Sequence, residues 1–264
     1  MTYTYKPTKT KTNYKPSSKG GTVKDSFQTP RYATELILPY IRKFPYVWEC
    51  AWGEGRMGRV LKDAGHFVFG STLNPVKGSG ILDFDFLSTS YDNVPDKILE
   101  WVEDGKDFVI VSNPPFSLKE EFVDMCYDLK VPYAFLIPAE FNIWTHKAIS
   151  RGAQMVVPNR RIDFITPNVL TRIHEGEVWK VVKHHYPQYK NLKLFARKNP
   201  MVWDKVLSEH NNIHHYSTID SVPENLLKKY SSSDFHSFWL CEGLSLEKQV
   251  ITVDLTISDK SRIL

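Results

Sequence analysis

Asn113-Pro114-Pro115-Phe116 directly follow a β-branched, apolar run that predicts a buried strand over Phe108–Ser112. The two prolines fix the backbone and remove two N–H donors, so the Asn113 amide and a neighbouring carbonyl can point outward as acceptors. Two acceptors match an exocyclic amine, which carries two hydrogens, and Phe116 offers a ring face on which a planar base can stack. A rigid strand-to-helix turn with a helix-starting proline explains the same four residues equally well.

A glycine-rich turn, Gly53-Glu54-Gly55, follows the first predicted strand, Tyr46–Cys50. In a doubly wound sheet, ligands bind beyond the carboxyl ends of the strands, where a strand turns into its helix. Glycines at this point let the backbone approach a cofactor closely, and Glu49 or Glu54 can receive a cationic group. A tight structural turn accounts for the two glycines as well, and Trp52 beside them fits either a pocket wall or packing against the sheet.

Apolar periodicities along the rest of the chain predict alternating strands and helices. Such alternation, with continuously apolar strands, is typical of a parallel sheet that helices cover on both faces. The predicted fold class is therefore α/β, with a doubly wound, mostly parallel, Rossmann-like sheet. The further predicted helices are Thr34–Arg42, Arg56–Ala64, Pro95–Asp104, Leu118–Leu129 and Ile143–Ser150, and the further predicted strands are His66–Phe69, Tyr133–Ile137, Gln154–Val157, Ile162–Ile165, Phe235–Leu240 and Val250–Leu255.

Composition divides the chain into four segments. Residues 1–25 form a Lys- and Tyr-rich tail, 26–167 the core, 168–233 an insertion between late strands, and 234–264 the returning strands. The insertion is polar and too long for a structureless loop, so we expect a subdomain with secondary structure of its own. Its basic side chains fit either a substrate-recognition lobe or an ordinary solvated face.

Histidines are concentrated in the insertion. Six of the nine in the chain lie there, namely His174, His184, His185, His210, His214 and His215. No cysteine and no helix-spaced carboxylate pair accompanies them, so they are interpreted as surface or nucleic-acid-facing side chains. No metal site is predicted.

The net charge of +4 is located at the amino-terminal end of the chain. Residues 1–24 contain six lysines and no acidic residue, which leaves 28 basic and 30 acidic side chains, or −2, for the remaining 240 residues. A Lys- and Tyr-rich arm can neutralise phosphates and stack on bases, and a plain solvated tail has the same composition.

The composition excludes several classes of protein. With 42% hydrophobic and 24% charged residues, the 264-residue chain is neither disordered nor collagen-like. It contains no apolar run of membrane-spanning length, and its first residues do not form a signal peptide. Its three cysteines are odd in number and widely spaced, which indicates neither a disulfide framework nor a zinc site. We therefore expect a cytoplasmic protein, bacterial or in the host cytoplasm if a virus encodes it, without a membrane partner.

Residues 27–165 resemble an S-adenosylmethionine-dependent class I methyltransferase of the amino-methylating type, related to the N6-adenine DNA methyltransferases, which include phage-encoded members. Asn113-Pro114-Pro115-Phe116 matches the catalytic tetrapeptide of that family, and Glu49–Gly55 matches its cofactor loop. Phe27-Gln28-Thr29-Pro30 is similar to the Phe-x-Thr-Pro segment that closes over the cofactor, and Asp83–Leu87 resembles the acidic loop near the cofactor's adenine. The four motifs occur in the family's order over about half of the chain.

The resemblance implies methyl transfer to the N6 amine of adenine in DNA, with S-adenosyl-L-methionine as the donor and no metal. Asn113 Oδ1 and the Pro114 carbonyl would accept the two N–H bonds of the amine, which favours a more nucleophilic nitrogen. A duplex base has to flip out to reach this turn, where Phe116 would stack against it. The implied catalytic residues are Asn113, Pro114 and Phe116, and the implied cofactor-binding residues are Phe27, Thr29, Glu49, Ala51, Gly53, Gly55, Thr72, Asp83, Asp85 and Asn113.

One position departs from the family pattern. Family members place an Asp or Glu at the end of the second strand to hold the cofactor's ribose hydroxyls, whereas here the strand ends Phe69-Gly70-Ser71-Thr72. Thr72 can bond a hydroxyl, although less strongly than a carboxylate does. Weak cofactor affinity, a compensating acid from elsewhere in the chain, or an inactive nucleic-acid-binding descendant would each fit. Similar tetrapeptides also serve RNA methyltransferases, acting on adenine N6 or guanine N2, and protein-glutamine methyltransferases. The Phe-x-Thr-Pro segment favours DNA adenine.

Overall fold

A computed structural model of the chain describes residues 27–73, 75–90, 92–212, 216–231, 233–261 and 263–264. The predicted tail, residues 1–25, and the histidines at 214 and 215 lie outside the described residues. The strands are β1 (Tyr46–Glu49), β2 (Phe67–Thr72), β3 (Leu82–Asp83), β4 (Phe108–Ser112), β5 (Tyr133–Pro138), β6 (Gln154–Pro158), β7 (Ser237–Glu242) and β8 (Val250–Val253). The helices are α1 (Arg31–Glu35), α2 (Leu38–Ile41), α3 (Arg56–Asp63), α4 (Asp96–Glu103), α5 (Lys119–Leu129), α6 (Ile143–Ser150), α7 (Val169–Val182), α8 (Leu192–Lys198), α9 (Pro200–Glu209) and α10 (Glu224–Tyr230).

The eight strands form one sheet in the order β3-β2-β1-β4-β5-β7-β6-β8. All neighbouring pairs are parallel except those of β7, which runs antiparallel to both β5 and β6. The order of the first five strands is that of a Rossmann sheet. The expectation of an α/β fold with a mostly parallel sheet is therefore confirmed, and β3 is an additional short strand that the sequence did not predict.

Side chains of the central strands alternate between two hydrophobic clusters, one on each face of the sheet. Trp48 and Ile110 pack with α4, α5 and α6. Val47 and Val109 pack with α1, α2 and α3 on the opposite face. Because both faces are buried, the strands are apolar along their whole length rather than at every second residue.

The predicted helix Thr34–Arg42 is wrong in its bounds, because α1 and α2 replace it. α1 begins at Arg31, directly after Pro30. Pro39 lies in the first turn of α2, where its missing N–H leaves no hydrogen bond unmade. In the middle of one continuous helix the same proline would interrupt the hydrogen-bond ladder, so the chain starts a second helix instead.

The predicted strand Ile162–Ile165 is buried as expected, but it joins no strand of the sheet. Its backbone groups have other partners. The Asp163 amide donates to the hydroxyl of Tyr32 at 2.6 Å, in place of a neighbouring strand. Ile165 exchanges two backbone hydrogen bonds, of 2.9 and 3.0 Å, with Gln28 in an isolated antiparallel bridge. The prediction of a strand is therefore wrong. The apolar residues predicted that the segment would be buried, but not which groups its backbone would form hydrogen bonds with.

Helices α7 to α10 lie between β6 and β7 in the chain, inside the predicted insertion. They contribute to two further hydrophobic clusters, one containing Ile173 and Leu227 and the other containing Phe195 and Trp203. Arg56, at the start of α3, donates to Asp220 at 2.7 Å from a side chain that is only 6% exposed. The region between β6 and β7 therefore contacts the helix that follows the glycine turn, and its role as a recognition lobe stays a prediction.

The three cysteines lie in the interior of the protein. Cys50, Cys126 and Cys241 are free and buried, and burial raises the pKa of all three thiols. Buried, protonated thiols of this kind are unreactive. Over the ranges that the structure describes, the helices are too short or too polar to cross a membrane.

Candidate active site

The carboxyl ends of β1 and β4, which are parallel neighbours, meet at a hydrogen-bonded carboxyl group. The Ser112 hydroxyl, at the end of β4, donates to Glu49 Oε1 at 2.6 Å, and the Ala51 amide donates to the same oxygen at 3.1 Å. Glu49 is 2% exposed, and burial raises its pKa to about 7 although both hydrogen bonds lower it. A carboxyl group that exchanges its proton near neutral pH thus lies where α/β sheets bind ligands.

Asn113 is the first residue beyond β4, and its amide is oriented by a distant segment of backbone. Its Nδ2 donates to the carbonyl of Phe27 at 2.9 Å. A carbonyl can only accept, so this bond identifies the other side of the amide as the oxygen. Asn113 Oδ1 is buried and has no hydrogen-bond partner among the described residues. Such an acceptor costs about 1–3 kcal/mol, which a ligand that donates an N–H recovers.

Phe116 belongs to a cluster of four phenylalanine rings. The ring of Phe27 stacks on it, with centroids 5.2 Å apart and planes at 23°. Phe164 and Phe235 make edge-to-face contacts with it at 5.7 and 5.4 Å. The ring that was predicted to stack on a base is therefore stacked, in this structure, on another side chain of the protein.

The segment Phe27–Thr29 runs from the tetrapeptide to the glycine turn. Gln28 is held by its backbone bridge to Ile165. The Gln28 side-chain amide lies against the turn, because a Cβ built on Gly53 would be 3.6 Å from Gln28 Nε2. Thr29 is buried, with 5% of its surface exposed. The segment thus contacts both motifs, and its closure over a cofactor stays a prediction.

The glycine turn has the backbone that its composition predicts. Gly53 and Gly55 have φ angles of +53° and +74°, a region that residues with a side chain rarely adopt. Trp52 lies between α3 and β2, since a Cβ added to Gly58 or Gly70 would approach its ring to 2.2 or 2.3 Å. Of the two interpretations of Trp52, the structure supports packing against the sheet.

Thr72, Asp83 and Asp85 lie together at the β2–β3 edge of the sheet. Thr72 and Asp83 are directly paired in the parallel ladder. Asp85 Oδ1 accepts from the Leu87 amide at 3.0 Å and thereby caps the short 3₁₀ helix Phe86–Ser88. Asp85 therefore has a structural role in addition to the cofactor contact that the sequence predicts for it.

Lys119 is a contact of the tetrapeptide that the sequence analysis missed. Its Nζ donates to the Phe116 carbonyl at 3.1 Å and lies 3.2 Å from Glu140 Oε2. The side chain is only 13% exposed, and Nζ is also 5.7 Å from the centre of the Trp144 ring. It ties the end of the tetrapeptide to the loop after β5. A lysine in the first turn of α5, where the helix dipole favours acidic residues, was the available signal.

Nine of the twelve predicted site residues fall into two groups. The first surrounds the ends of β1 and β4, and its members are Phe27, Glu49, Ala51, Gly53, Asn113 and Phe116. The second is the β2–β3 edge, with Thr72, Asp83 and Asp85. The Trp52 amide donates to the Ser71 carbonyl at 3.0 Å, which ties the glycine turn to the end of β2. Pro114 is buried beside Asn113. The role expected for its carbonyl, which is to accept a hydrogen bond from the amine, stays a prediction.

Metal-binding side chains are not clustered in the part of the chain that the structure describes, where no group of three or more His, Cys, Asp or Glu could hold an ion. The rings of His184 and His185 lie next to each other, with centroids 3.7 Å apart.

A scan against protein-family models gives no match to this chain, and a search of curated proteins gives no similar sequence. The case for a function therefore rests on the residues and geometry of the site.

Proposed function

We propose that the protein is a class I methyltransferase that transfers a methyl group from S-adenosyl-L-methionine to the exocyclic N6 amine of adenine in DNA. The observation that carries the proposal is the buried Asn113 Oδ1, which lacks a donor among the described residues. It lies directly beyond the end of β4, three residues before the ring of Phe116. A planar base with an amino group supplies both the missing donor and a stacking partner.

Asn113 Oδ1 and the Pro114 carbonyl act on the amine nitrogen. The lone pair of an aromatic amine is delocalised into the ring, and accepting both N–H bonds favours a pyramidal nitrogen with a localised pair. S-adenosylmethionine, when bound, would supply an electrophilic methyl group on its sulfonium. As the amine nitrogen bonds to that carbon, the S–C bond would break and one amine proton would leave to solvent. Holding the two reactants in line provides much of the acceleration.

The residues after β1 fit a cofactor with a cationic amino group. Burial opposes the ionisation of Glu49, and a cation beside the carboxylate offsets that effect. In the turn that follows, Gly53 lies against the Gln28 side-chain amide, while Gly55 lies against the Trp52 ring and so allows the turn to pack. Thr72, at the end of β2, offers a hydroxyl for the ribose. These residues would hold the cofactor at the edge where β1 and β4 end.

Four broader expectations belong to the same proposal. The sheet is doubly wound and Rossmann-like, which its strand order and its two covered faces support. The region 168–233 is the substrate-recognition lobe, and the positive charge of the six lysines in residues 1–24 attracts nucleic-acid phosphates. The protein is cytoplasmic, as its three free cysteines favour.

The test is incubation of the protein with methyl-labelled S-adenosylmethionine and, separately, DNA, RNA or a protein extract. Label in DNA is the expected result, because the Phe-x-Thr-Pro segment favours DNA adenine. Label that appears only in RNA or only in protein contradicts the proposed substrate.

A second candidate is a nucleic-acid-binding protein that keeps this fold without catalysis. The observation that favours it is Thr72, which stands where the family has its ribose-binding acid, together with the use of Asp85 as a helix cap. Calorimetric titration with S-adenosylmethionine or its demethylated product separates the two candidates. Binding supports the enzyme, and no heat at millimolar ligand supports the second candidate.

A further inference from the structure

One face of the Phe116 ring, which the proposed function assigns to stacking on a base, is covered by the ring of Phe27. The two rings are stacked, with centroids 5.2 Å apart and planes at 23°, as a base and a ring would be. Phe27 also makes edge-to-face contacts with Phe164 at 6.0 Å and Phe235 at 5.8 Å. Phe27 therefore fills the space bounded by the rings of Phe116, Phe164 and Phe235, which we call the slot.

We propose that the Phe27 ring holds the place of the target base in the base-free protein and must leave when the base enters. The inference rests on the proposed function. It assigns to Phe27 the control of access to the site that the base would occupy. Asn113 Oδ1 is buried and unpaired among the described residues while Phe27 is in place, so an amine cannot reach it without a movement. Phe27 is the ring nearest to Phe116, and it comes from a different part of the chain.

The contacts of the segment define which part has to move. Gln28 is fixed by two backbone hydrogen bonds to Ile165, at 2.9 and 3.0 Å. The Phe27 carbonyl accepts from Asn113 Nδ2 through the backbone, independently of the ring. Rotation about the Cα–Cβ bond of Phe27 therefore clears the slot and leaves Asn113 oriented for the amine. The Phe27 carbonyl positions the Asn113 amide, while the Phe27 side chain opens or closes the slot.

The test measures binding of free adenine, without cofactor, by isothermal titration calorimetry. A stacked aromatic pair keeps the slot closed in most molecules, so Phe27→Ala should bind adenine about threefold to tenfold more tightly than the unchanged protein. Phe116→Ala should lose binding, because the stacking face is gone. The matched control is Phe67→Ala, since Phe67 stacks on Tyr46 with almost the same geometry, 5.3 Å and 22°, away from the site. It should leave adenine affinity unchanged.

A second variant covers the case in which Phe27→Ala does not fold. Phe27→Leu keeps most of the side-chain volume and removes the stacked ring, and it should show the same tightening. Equal affinity of the Phe27 variant and the unchanged protein overturns the inference, as does unaltered affinity in Phe116→Ala. Failure of the proposed function looks different, because the unchanged protein would then transfer no methyl group whatever its adenine affinity.

Discussion

At the scale of single residues, Glu49 is a buried carboxyl group whose pKa is raised. Burial raises its pKa to about 7, and the bonds donated by the Ser112 hydroxyl and the Ala51 amide lower it by less than burial raises it. The Ser112 hydroxyl lies at the end of β4 and the Ala51 amide lies in the turn after β1, so both donors are next to the site. The carboxyl group therefore responds to any cation that approaches it near neutral pH.

This pKa makes the stability of the protein depend on pH. Because the pKa of Glu49 is raised in the folded protein, its contribution to stability is fully present below its ordinary pKa of 4.5 and is lost as pH rises to about 7. Glu49→Gln stays neutral at every pH. Relative to the unchanged protein, its free energy of unfolding should therefore increase by up to about 3 kcal/mol as the pH is raised from acidic to alkaline. Urea unfolding across this pH range measures the difference. Glu54→Gln, at an exposed position of the next turn, is the control, and a difference independent of pH contradicts the assignment.

At the scale of elements, Trp52 determines how closely α3 can approach β2. The indole lies over Gly58 of the helix and Gly70 of the strand, and a Cβ at either would come within 2.3 Å of the ring. The helix that begins at the glycine turn is thus positioned by packing as well as by the turn itself. Both features are local, yet they meet only because β1 and β2 are parallel neighbours.

Gly58→Ala tests this packing, because helix propensity alone would favour alanine by about 1 kcal/mol. Overpacking against Trp52 should reverse the sign and lower the free energy of unfolding by about 1–3 kcal/mol. Urea denaturation measures the change. In a Trp52→Leu background the same substitution should be neutral or stabilising, which isolates the contact. A Gly58→Ala protein more stable than its parent would show that the ring does not limit the approach.

Local sequence signals predicted the bounds of two elements to the residue. β4 and α6 have the predicted bounds, Phe108–Ser112 and Ile143–Ser150. A β-branched run ends at Asn113 in the first case, and in the second Asn142 Oδ1 caps the helix by accepting from the Thr145 amide at 3.3 Å. Elements that depend on a distant partner were not specified, as Ile162–Ile165 shows, because a side-chain hydroxyl and one bridge took the place of a neighbouring strand.

The same division holds for the site. The tetrapeptide and the glycine turn were predictable, because each is a continuous motif after an apolar strand. The bond from Asn113 Nδ2 to the Phe27 carbonyl joins residues 86 positions apart, and the stacking of Phe27 on Phe116 depends on the same long-range approach. Neither follows from local patterns, since both require the packed arrangement of the sheet and the segment that crosses it.

At the scale of the whole molecule, charge is separated along the chain. Residues 1–24 hold six lysines and no acid, while the remaining 240 residues carry a formal charge of −2. A body of that charge attracts a polyanion only through local basic surfaces. Most of the long-range attraction to nucleic acid should therefore come from the amino-terminal segment.

Deletion of residues 1–24 should weaken DNA binding. It should also make the slope of log K against log salt shallower by up to about five, because it removes six lysine charges that can each neutralise one phosphate. Fluorescence anisotropy with a labelled duplex over a range of salt concentrations measures both. Replacement of the six lysines by glutamine, with the length unchanged, is the control and should match the deletion. Unchanged affinity and slope would leave the segment without a role in DNA binding.

In the proposed reaction, Asn113 presents its amide oxygen to the N6 amine of adenine. The most direct test is mass spectrometry of nucleosides from DNA treated with S-adenosylmethionine and the unchanged protein, Asn113→Ala, or Asn159→Ala as a distant amide control. Asn113→Ala loses one hydrogen bond, worth about 1 kcal/mol, so it should still fold. We predict N6-methyladenine with the unchanged protein and with Asn159→Ala, and a loss of about a hundredfold or more with Asn113→Ala. Methylation at another atom, or equal methylation by Asn113→Ala, contradicts the claim.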